Sequence, residues 1–340
     1  MAGAAQGGAE AFFERLALAL GRAGVEQRVA IRRDARRAAA LRGGGVDAIE
    51  LPFGGWFDFT TRPALKRAIA AFRPDVVLTW MNRASALCPA AGTALPFVQV
   101  GRLGGYYELK YYRRCRHLIA NTEDILRHIV EQGWPRDRAH YLPNFVDATR
   151  MAPVDRAGLS TAGDAFAILA LGRLHRNKGF DVLLRALADL PRAVLWLAGA
   201  GPEEGALKAL ARELGVAERV RFLGWRDDAA ALFAACDLFV CSSRHEPLGN
   251  VVIEAWAQDR PVVAAAAAGP AALIREGESG LLVPADDPQA LAGAIRRAMN
   301  DPDLRRRLAA GGRSAYERDF TEATVVGKYR AFFDRVAGSR

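Results

Sequence analysis

Residues 238–254 read LFVCSSRHEPLGNVVIE, and this stretch decides the fold of the second half of the chain. The run Leu238–Cys241 is short, wholly apolar and followed at once by serines, which is typical of a buried parallel strand. A polar turn comes next, and a helix is predicted to begin near Gly249. Ligands of open α/β sheets bind where the strands end, and the first amides of a helix attract anions. The stretch therefore predicts an anion or sugar site just after a buried strand.

Several residues of this segment are candidates for contact with such a ligand. Gly249 and Asn250 are predicted to present backbone N–H groups to a phosphate or sugar oxygen, because glycine allows close backbone approach. Glu246 is predicted to face the same pocket from the turn, and Glu254 to reach a ribose hydroxyl pair from the helix. An ordinary helix start with two solvated glutamates is the alternative for the segment taken alone. Two further candidates, named for their place in the turn, are His245 and Leu248.

A second basic turn lies between a predicted strand and a predicted helix at residues 171–179, which read LGRLHRNKG. Arg173 and Lys178 flank this turn and can converge on one diphosphate, arginine as a fork and lysine as a point charge. Gly172 opens the turn. A solvated loop is the alternative for the turn alone, but its pairing with the Glu246 segment in one domain favours a binding site.

Two weaker features fit around these turns. Gly201 lies in a turn that ends another strand, but Glu204 takes the place of a third glycine, so the dinucleotide fingerprint is not met. Gly224 and Trp225 follow a strand at a position where a nucleobase can lie. Trp225 is as compatible with a core role as with base stacking.

The rest of the chain alternates short apolar runs with segments of helical period, which indicates repeated βα units and parallel sheets. At 340 residues the chain favours two domains. We predict two Rossmann-like, doubly wound α/β domains at residues 1–147 and 148–320, with a linker over 147–164 and a final helix over 321–340 that returns to the first domain. The predicted strands are Val29–Arg32, Ala48–Leu51, Val76–Trp80, Phe97–Val100 and His117–Ala120, then Phe166–Leu171, Ala193–Ala198, Val220–Leu223, Leu238–Cys241, Pro261–Ala264 and Leu281–Val283.

Three motifs give the chain a resemblance to family 4 glycosyltransferases, which have the GT-B fold. The family's E-x7-E pattern is similar to Glu246 and Glu254, and its G-R-x4-K-G turn to the segment from Gly172 to Gly179. Its P-N-x-V-D hinge resembles Pro143–Asp147, and the resemblance covers nearly the whole chain. It implies a retaining transferase that moves a sugar from a UDP- or GDP-linked donor and usually needs no metal or other cofactor.

The resemblance also implies residue roles. Arg173 and Lys178 would hold the donor diphosphate, Glu246 would contact the transferred sugar and Glu254 would bind the ribose. On the acceptor side, the implied residues are Gly7, Gly8, Arg102 and Gly104. The acceptor would be a glycan or a lipid-linked sugar, as in family members that build lipopolysaccharide or other envelope glycans.

The N-terminus departs from the family pattern. Gly7 and Gly8 resemble a glycine loop that leads into a helix, yet only six residues precede Gly7, too few for the strand that normally feeds such a loop. A missing first strand is the favoured interpretation. A frayed glycine-rich end is the alternative.

The two halves of the chain differ in net charge. Residues 1–148 carry 21 basic against 14 acidic side chains, a net +7, while residues 149–340 carry 26 against 24, a net +2. The basic cluster Arg32, Arg33, Arg36, Arg37 and Arg42 suits a solvated face or an anionic membrane surface, and no nucleic-acid motif accompanies it. No apolar run reaches the ~20 residues of a membrane span. We therefore expect a cytoplasmic protein, peripheral at the inner face of the cytoplasmic membrane, that does not bind nucleic acid.

Metal and disulfide signals are weak. Asp301 and Asp303 form a D-x-D, but Asp301 precedes Pro302 and is better interpreted as a helix N-cap. The four cysteines lack zinc spacing and are predicted to be reduced, buried thiols.

Two other functions remain open from the residues alone. A sugar-nucleotide epimerase also uses two Rossmann halves, and a non-catalytic nucleotide-sugar-binding subunit would bind donor without turnover. The sequence does not name the nucleotide, sugar, acceptor, linkage or oligomeric state.

Overall fold

The computed structural model describes residues 1–3, 7–54 and 58–338. Two compact units make up the chain: unit 1 comprises Met1–Phe145 with the C-terminal segment from Glu322, and unit 2 comprises Val146–Thr321. These boundaries lie within two residues of the expected ones at 147/148 and 320/321. Each unit has its own strands and its own core.

Unit 1 alternates helices and strands along the chain. Its strands are β1 Arg28–Arg32, β2 Asp47–Leu51, β3 Val76–Trp80, β4 Val98–Leu103, β5 His117–Ala120 and β6 Ala139–Tyr141. Its first helices are α1 Gly8–Arg22, α2 Ala35–Gly43, α3 Thr61–Phe72, α4 Met81–Leu87 and α5 Glu123–Glu131.

The strands of unit 1 form two parallel sheets. One contains β1 and β2, and the other has the order β3-β4-β5-β6. Helix α1 is the first regular element of the described chain, and no strand of the described residues precedes it.

The elements of unit 2 follow the same alternation. Its strands are β7 Phe166–Leu171, β8 Ala193–Ala198, β9 Val220–Gly224, β10 Leu238–Cys241, β11 Val262–Ala265 and β12 Leu281–Val283. Its helices are α6 Phe180–Ala188, α7 Glu204–Glu213, α8 Ala229–Ala235, α9 Asn250–Ala257, α10 Ala268–Leu273, α11 Pro288–Asn300 and α12 Pro302–Asp319.

Unit 2 is built on one six-stranded parallel sheet with the order β12-β11-β10-β7-β8-β9. Strand β8 is buried along its whole length, and β7 and β10 are nearly or wholly so, which explains their continuous apolar sequences. The chain runs outward from β7 on one side and from β10 on the other. The two therefore meet at a topological switch point, where doubly wound sheets bind ligands.

The last helix, α13 Glu322–Ala337, belongs to unit 1. Its buried residues Val325, Tyr329 and Phe332 pack with those of α1 in one apolar cluster. Arg22 also forms an ion pair with Glu322 at 2.7 Å. The prediction that the final helix returns to the N-terminal half agrees with this packing.

The α/β fold class with two parallel-sheet units is confirmed, and the eleven predicted strands appear with small shifts at their ends. Strand β6 was not predicted, because three residues with a half-buried pattern carry little periodicity. Asp301 caps α12 by accepting a hydrogen bond from Leu304 N at 2.8 Å, as predicted. The cysteines are free and buried, also as predicted.

Candidate functional site

The residues predicted to bind the donor lie at the carboxyl ends of the central strands of unit 2. The turn after β7, the loop after β10 and the turns after β8 and β9 all emerge at this edge of the sheet. Parallel strands bring their carboxyl ends to one edge, so residues that are far apart in sequence meet there.

The turn after β7 contains a short 3-10 helix over Arg176–Lys178. Gly172 before it has φ 145° and Gly179 after it has φ 62°, both in the region that favours glycine. A Cβ at Gly179 would also lie 2.1 Å from the carbonyl oxygen of Ser242. Gly179 therefore allows the β7 turn to approach the loop after β10 at main-chain distance.

Main-chain hydrogen bonds join these two loops. Asn177 O accepts from Arg244 N at 2.8 Å and from His245 N at 3.1 Å. Ser242 Oγ donates to Lys178 O at 2.9 Å. The two loops are therefore joined by main-chain hydrogen bonds, and the short side chain of Ser242 adds one more.

Lys178 and Glu246 meet at this junction. Lys178 Nζ donates to Glu246 Oε2 at 2.5 Å, with 23% and 11% of the two side chains exposed. Ser243 Oγ donates to the same carboxylate oxygen at 3.4 Å. The structure thus brings together the cation and the carboxylate that the sequence placed in one pocket, in a partly buried pair that remains open to a ligand.

Arg244 fixes the loop that carries Glu246. Its guanidinium donates two hydrogen bonds to Asp181 of α6, at 2.6 and 2.7 Å, and a further one to Arg176 O at 2.9 Å. It also forms an ion pair with Asp286. The hydrogen bonds from Arg244 hold the pKa of Asp181 below its ordinary value. Bidentate pairing of this kind gives geometric precision, so Arg244 orients the turn on which Glu246 lies.

Helix α9 begins directly after this loop. Its N-cap, Gly249, has φ 67°, and a Cβ there would lie 2.7 Å from Leu273 Cδ1. Gly269, in the first turn of α10, donates its N–H to Glu246 O at 2.7 Å, so α10 supports the turn that carries Glu246. Asn250 is the first residue of α9, and Glu254 lies half-buried one turn further on.

The turns after β8 and β9 join the same edge. Gly201 lies so close to the β7 turn that a Cβ there would be 2.3 Å from Leu174 O. Gly199 N donates to Gly224 O at 2.7 Å, which links the β8 turn to the β9 turn. Trp225 follows Gly224 and is 73% exposed, so it belongs to the surface and not to the core.

The remaining donor-side candidates are accessible. Arg173 is exposed and, within the described part of the chain, makes no hydrogen bond or ion pair. His245 is exposed and Leu248 is half-buried. The edge of the sheet therefore offers a free guanidinium, an ion pair, a helix N-terminus and an exposed indole.

Two family models match the chain. One, described as Glycosyltransferase Family 4, matches residues 6–150, and the other, described as Glycosyl transferases group 1, matches residues 165–301. Among curated proteins, the lipopolysaccharide core biosynthesis glycosyltransferase LpsD of Rhizobium meliloti (strain 1021) is 39% identical over 342 residues, covering 98% of this chain and 97% of the relative. LpsE of the same organism is 39% identical over 335 residues, covering 95% and 94%.

The chain belongs to glycosyltransferase family 4. It is a glycosyltransferase, which disfavours both the epimerase and the non-catalytic binding subunit.

Solved structures of low sequence identity share its fold. Anabaena Alr3699/HepE, crystallised with UDP, superposes with a TM-score of 0.85 at 22% identity and with 98% of each chain covered. WaaG, a glycosyltransferase involved in lipopolysaccharide biosynthesis, gives a TM-score of 0.71 at 18% identity, covering 98% of this chain and 97% of that one. The fold of this glycosyltransferase is therefore GT-B.

Three of the four predicted acceptor-side residues lie together in unit 1 of the glycosyltransferase. Gly7 caps α1 and Gly8 is its first residue, and both are exposed. A Cβ at Gly104 would lie 4.0 Å from the Cβ of Ala9. The loop after β4 and the N-terminus of α1 are thus neighbours.

Arg102 lies elsewhere than the sequence predicts. It is 1% exposed, and its guanidinium lies 4.7 Å from the ring centroid of Phe12 and 4.3 Å from that of Trp80. It donates to Tyr329 Oη at 2.8 Å and to Asn144 Oδ1 at 2.5 Å. Because β4 continues as far as Leu103, Arg102 is a strand residue whose side chain enters the core of unit 1, and it is not presented to an acceptor.

Two absences among the described residues concern metals and membranes. Among those residues, no group of three or more His, Cys, Asp or Glu side chains is arranged to hold a metal ion. The described helices include none whose length and apolar character would suit a membrane crossing.

Sequence reasoning missed the supporting residues. Asp181, Asp286 and Gly269 hold the Glu246 loop from outside the motif, and a spacing pattern within one loop contains no information about such distant partners. The sequence shows Arg244 only as a charged residue directly before His245. Its contacts identify it as the residue that holds the loop in place.

We expect Gly179→Ala to destabilise unit 2 more than Gly215→Ala does. Both glycines have φ in the left-handed region, 62° and 68°, but a Cβ at Gly215 meets nothing within 4 Å. Gly215→Ala should therefore lose only the backbone strain, about 1 kcal/mol, whereas Gly179→Ala must also separate the two loops and should lose about 3 kcal/mol. Urea unfolding of the two variants measures the difference, and equal losses would mean that the loop contact is not tight.

Proposed function

We propose that the protein is a retaining glycosyltransferase that moves a sugar from a UDP- or GDP-linked donor, held by unit 2, to a glycan or lipid-linked acceptor in lipopolysaccharide or cell-envelope polysaccharide assembly. The observation that carries the donor assignment is the Lys178–Glu246 pair at the switch point of the unit 2 sheet. The names of LpsD and LpsE support the pathway, and the UDP complex of Alr3699/HepE supports a uridine nucleotide.

The donor diphosphate would bind between the two loops. Arg173 has an exposed guanidinium without an internal partner in the described chain, and the Lys178 ammonium already donates to one carboxylate, that of Glu246. On donor binding, the phosphate oxygens would share Lys178 with Glu246. The positive end of α9, which begins at Asn250, would further favour the anion.

The nucleoside would extend from the diphosphate along the same edge. Glu254, one turn into α9, is placed to bind the ribose hydroxyls, while Gly201 allows close backbone approach. Trp225 beside Gly224 offers an exposed indole on which a base can stack. His245 and Leu248 would border the transferred sugar.

We predict that Lys178→Ala and Arg173→Ala each lower kcat/KM roughly 30- to 1000-fold. This corresponds to a loss of about 2–4 kcal/mol of transition-state stabilisation. Each variant removes a charge-assisted contact to the leaving diphosphate. The control is Lys208→Ala, which breaks a Lys–Glu pair of 2.6 Å on an exposed face of α7 and should leave kcat/KM unchanged. Steady-state kinetics measure the effect. A kcat/KM near that of the wild type in both site variants would contradict the assignment of Lys178 and Arg173 to the diphosphate.

The same groups suggest how the sugar is transferred. As the bond between the anomeric carbon and the diphosphate oxygen breaks, negative charge develops on that oxygen and meets preorganised donors from Arg173, Lys178 and α9. The acceptor hydroxyl then bonds to the anomeric carbon from the same face and gives its proton to the departing phosphate oxygen. Glu246 orients the sugar ring and stabilises its positive charge, with no covalent adduct.

We predict that the product keeps the anomeric configuration of the donor. Proton NMR of the newly formed linkage measures this directly, and a β-linkage formed from an α-linked donor would contradict the retaining assignment. Glu246→Gln should lower kcat more than it raises KM, because the carboxylate acts most strongly when the sugar carries positive charge. A change confined to KM would assign Glu246 to ground-state binding alone.

We propose that no metal ion assists the leaving group, because two cations and a helix N-terminus would face the diphosphate in the proposed site. We therefore expect activity to survive incubation with EDTA. Initial rates before and after chelation, followed by addition of Mn²⁺ or Mg²⁺, make the test. Loss of activity with EDTA and recovery with Mn²⁺ would contradict the proposal.

The acceptor would approach unit 1 at the N-terminus of α1, beside Gly7, Gly8 and Gly104, and a Cβ at Gly8 would meet nothing within 4 Å. A lipid-linked acceptor would bring the enzyme to the cytoplasmic face of the membrane as a peripheral protein. The basic cluster around β1 and α2 supports membrane binding, but one of its five arginines is buried. Arg37 is 1% exposed and pairs with Asp34 and Glu14, so only its four neighbours face solvent.

We predict weak, salt-sensitive binding to anionic vesicles. At roughly 1 kcal/mol per basic residue near the surface, the exposed arginines suffice at low salt and should be screened at high salt. The variant Arg32→Gln/Arg33→Gln/Arg36→Gln should lose binding to phosphatidylglycerol vesicles. Arg185→Gln/Arg212→Gln/Arg307→Gln, with the same change of charge in unit 2, should retain it. Equal binding by the two triple variants would leave the cluster as a solvated face.

A further inference from the structure

Two histidines of unit 1 lie side by side on neighbouring strands. His117 is the first residue of β5, and His140 lies on the adjacent strand β6. His117 Nδ1 is 3.0 Å from His140 Nε2, which is hydrogen-bonding distance, and both side chains are half-buried. The pair is at the amino end of β5, whereas the proposed acceptor position beside Gly104 follows the carboxyl end of β4 in the same parallel sheet. The pair is therefore separate from that position.

The C-terminal end of α13 packs on this pair. The ring of Phe332 lies 4.9 Å from the ring of His140 and 6.2 Å from that of His117, measured between centroids. Arg335 follows three residues later on the same helix, and its Nη2 is 3.4 Å from His140 Nδ1. Its guanidinium also lies 5.6 Å from the centroid of the Phe332 ring. The two imidazoles are thus a contact between the sheet and the end of α13.

The hydrogen bonds assign the tautomers of both rings. Arginine can only donate, so His140 Nδ1 accepts from Arg335 and the neutral ring of His140 carries its hydrogen on Nε2. His140 Nε2 then donates to His117 Nδ1, which leaves the hydrogen of His117 on Nε2. A chain of donors therefore runs from Arg335 through His140 to His117, and it requires that both imidazoles are neutral.

A proton on either ring breaks this chain. Protonated His140 would direct an N–H at the guanidinium of Arg335, and protonated His117 would direct one at the N–H of His140. The other nitrogen of His117, Nε2, is buried and has no hydrogen-bond partner among the described residues. The charge of a protonated His117 would thus have no anionic partner at that atom.

The charged groups around the pair are mostly basic. They come from the residue before β5, from the 3-10 turn before β6 and from α13: Arg116, Arg136, Asp137, Arg138 and Arg335. Burial, followed by the nearby arginines, lowers the pKa of His117. Burial, followed by His117 and the arginines, lowers the pKa of His140 from 6.5 to about 4, while Asp137 acts in the opposite direction on both rings. The surroundings therefore favour the neutral pair.

We propose that the His117–His140 pair is a pH-sensitive switch, which holds the C-terminal end of α13 against β5 and β6 while both rings are neutral and releases it when a ring is protonated. Release would expose Phe332 and separate Arg335 from the sheet. The rest of unit 1 would keep its fold, because the earlier turns of α13 pack in the main apolar cluster of the unit through Val325 and Tyr329. This inference goes beyond the proposed activity and does not depend on it.

The direction of the pH effect follows from the two states of the helix end. A released imidazole has an ordinary pKa of about 6.5, whereas the docked His140 has a pKa of about 4. Between about pH 6.5 and pH 4 the released state binds more protons, so acid favours release and the contact is fully stable above about pH 7. For His140 alone, the docking equilibrium would weaken by about 30-fold from about pH 7.5 to pH 5. Since the rings are partly exposed, we expect at least about tenfold.

The first test is NMR of the full chain with 15N-labelled histidine, in which each ring is assigned by substituting the histidines one at a time. At about pH 7.5, His117 and His140 should both show the neutral tautomer with the hydrogen on Nε2. On acidification, His140 should titrate at least about one pH unit below His128, which serves as the reference. Titration of His140 near 6.5, or a hydrogen on its Nδ1 at neutral pH, would overturn the proposal.

A pair of variants tests the donor chain. Arg335→Met removes the donor to His140 Nδ1 and one of the nearby cations, so the pKa of His140 should move towards its ordinary value. Arg330→Met makes the same change at an exposed position of the same helix and should leave that pKa as in the wild type. An equal response of His140 to the two substitutions would contradict the role of Arg335.

Hydrogen exchange tests the release itself. In the wild type, the protection factors of the amides in the last turn of α13 should fall at least about tenfold between about pH 7.5 and pH 5, while those of α11 in unit 2 stay the same. The variant His117→Gln/His140→Gln keeps a donor and an acceptor at each position but cannot be protonated, so its fall should be less than about threefold. The control His128→Gln/His175→Gln should behave as the wild type.

An equal fall in protection in the wild type and in His117→Gln/His140→Gln would overturn the switch. If glutamine does not support docking, α13 would be unprotected in this variant at both pH values. The wild-type titration then decides, because a switch requires that the loss of protection in the wild type follows the protonation of His140 or His117. Loss of protection without protonation of either ring would contradict the proposal.

Discussion

The close approach of the β7 turn to the loop after β10 is the constraint on which the proposed donor site depends. Gly179 allows it, since any Cβ would collide with Ser242 O, and Asn177 O secures it by accepting two main-chain hydrogen bonds. The Lys178–Glu246 pair is a consequence of this junction. Because main-chain hydrogen bonds form much of this junction, the pair is held together without a ligand, as the proposed stabilisation of a leaving group requires.

The sequence predicted the strands and turns that form the site, but not the distant residues that hold them in place. Strands β7 and β10 were predicted with the observed ends, because strands buried on both faces are continuous apolar runs bounded by polar turns. That Lys178 and Glu246 meet followed from the shared sheet edge. Arg102 was misplaced because a charged residue beside glycines suggests a loop, and only tertiary packing reveals two aromatic rings and a tyrosine around it.

The two units divide the chemistry that the proposal requires. Unit 2 is nearly neutral and concentrates its cations at the strand ends, where a diphosphate would bind. Unit 1 carries most of the net charge, on arginines around β1 and α2 that mainly face solvent. Arg37 is the exception, because it is buried and paired with Asp34 and Glu14. A count of charged residues in the sequence therefore overestimates the charge of the exposed basic face.

The central claim is that Lys178 binds the diphosphate of the donor, and a comparison of two ligands tests it most directly. Isothermal titration would first select the best-binding nucleoside diphosphate from uridine, guanosine and adenosine diphosphates, and then compare it with its nucleoside on wild type and Lys178→Ala. The account predicts that the variant loses at least about tenfold in affinity for the diphosphate, about 1.4 kcal/mol, while nucleoside affinity stays the same. An equal loss for both ligands, or no loss for either, would contradict it.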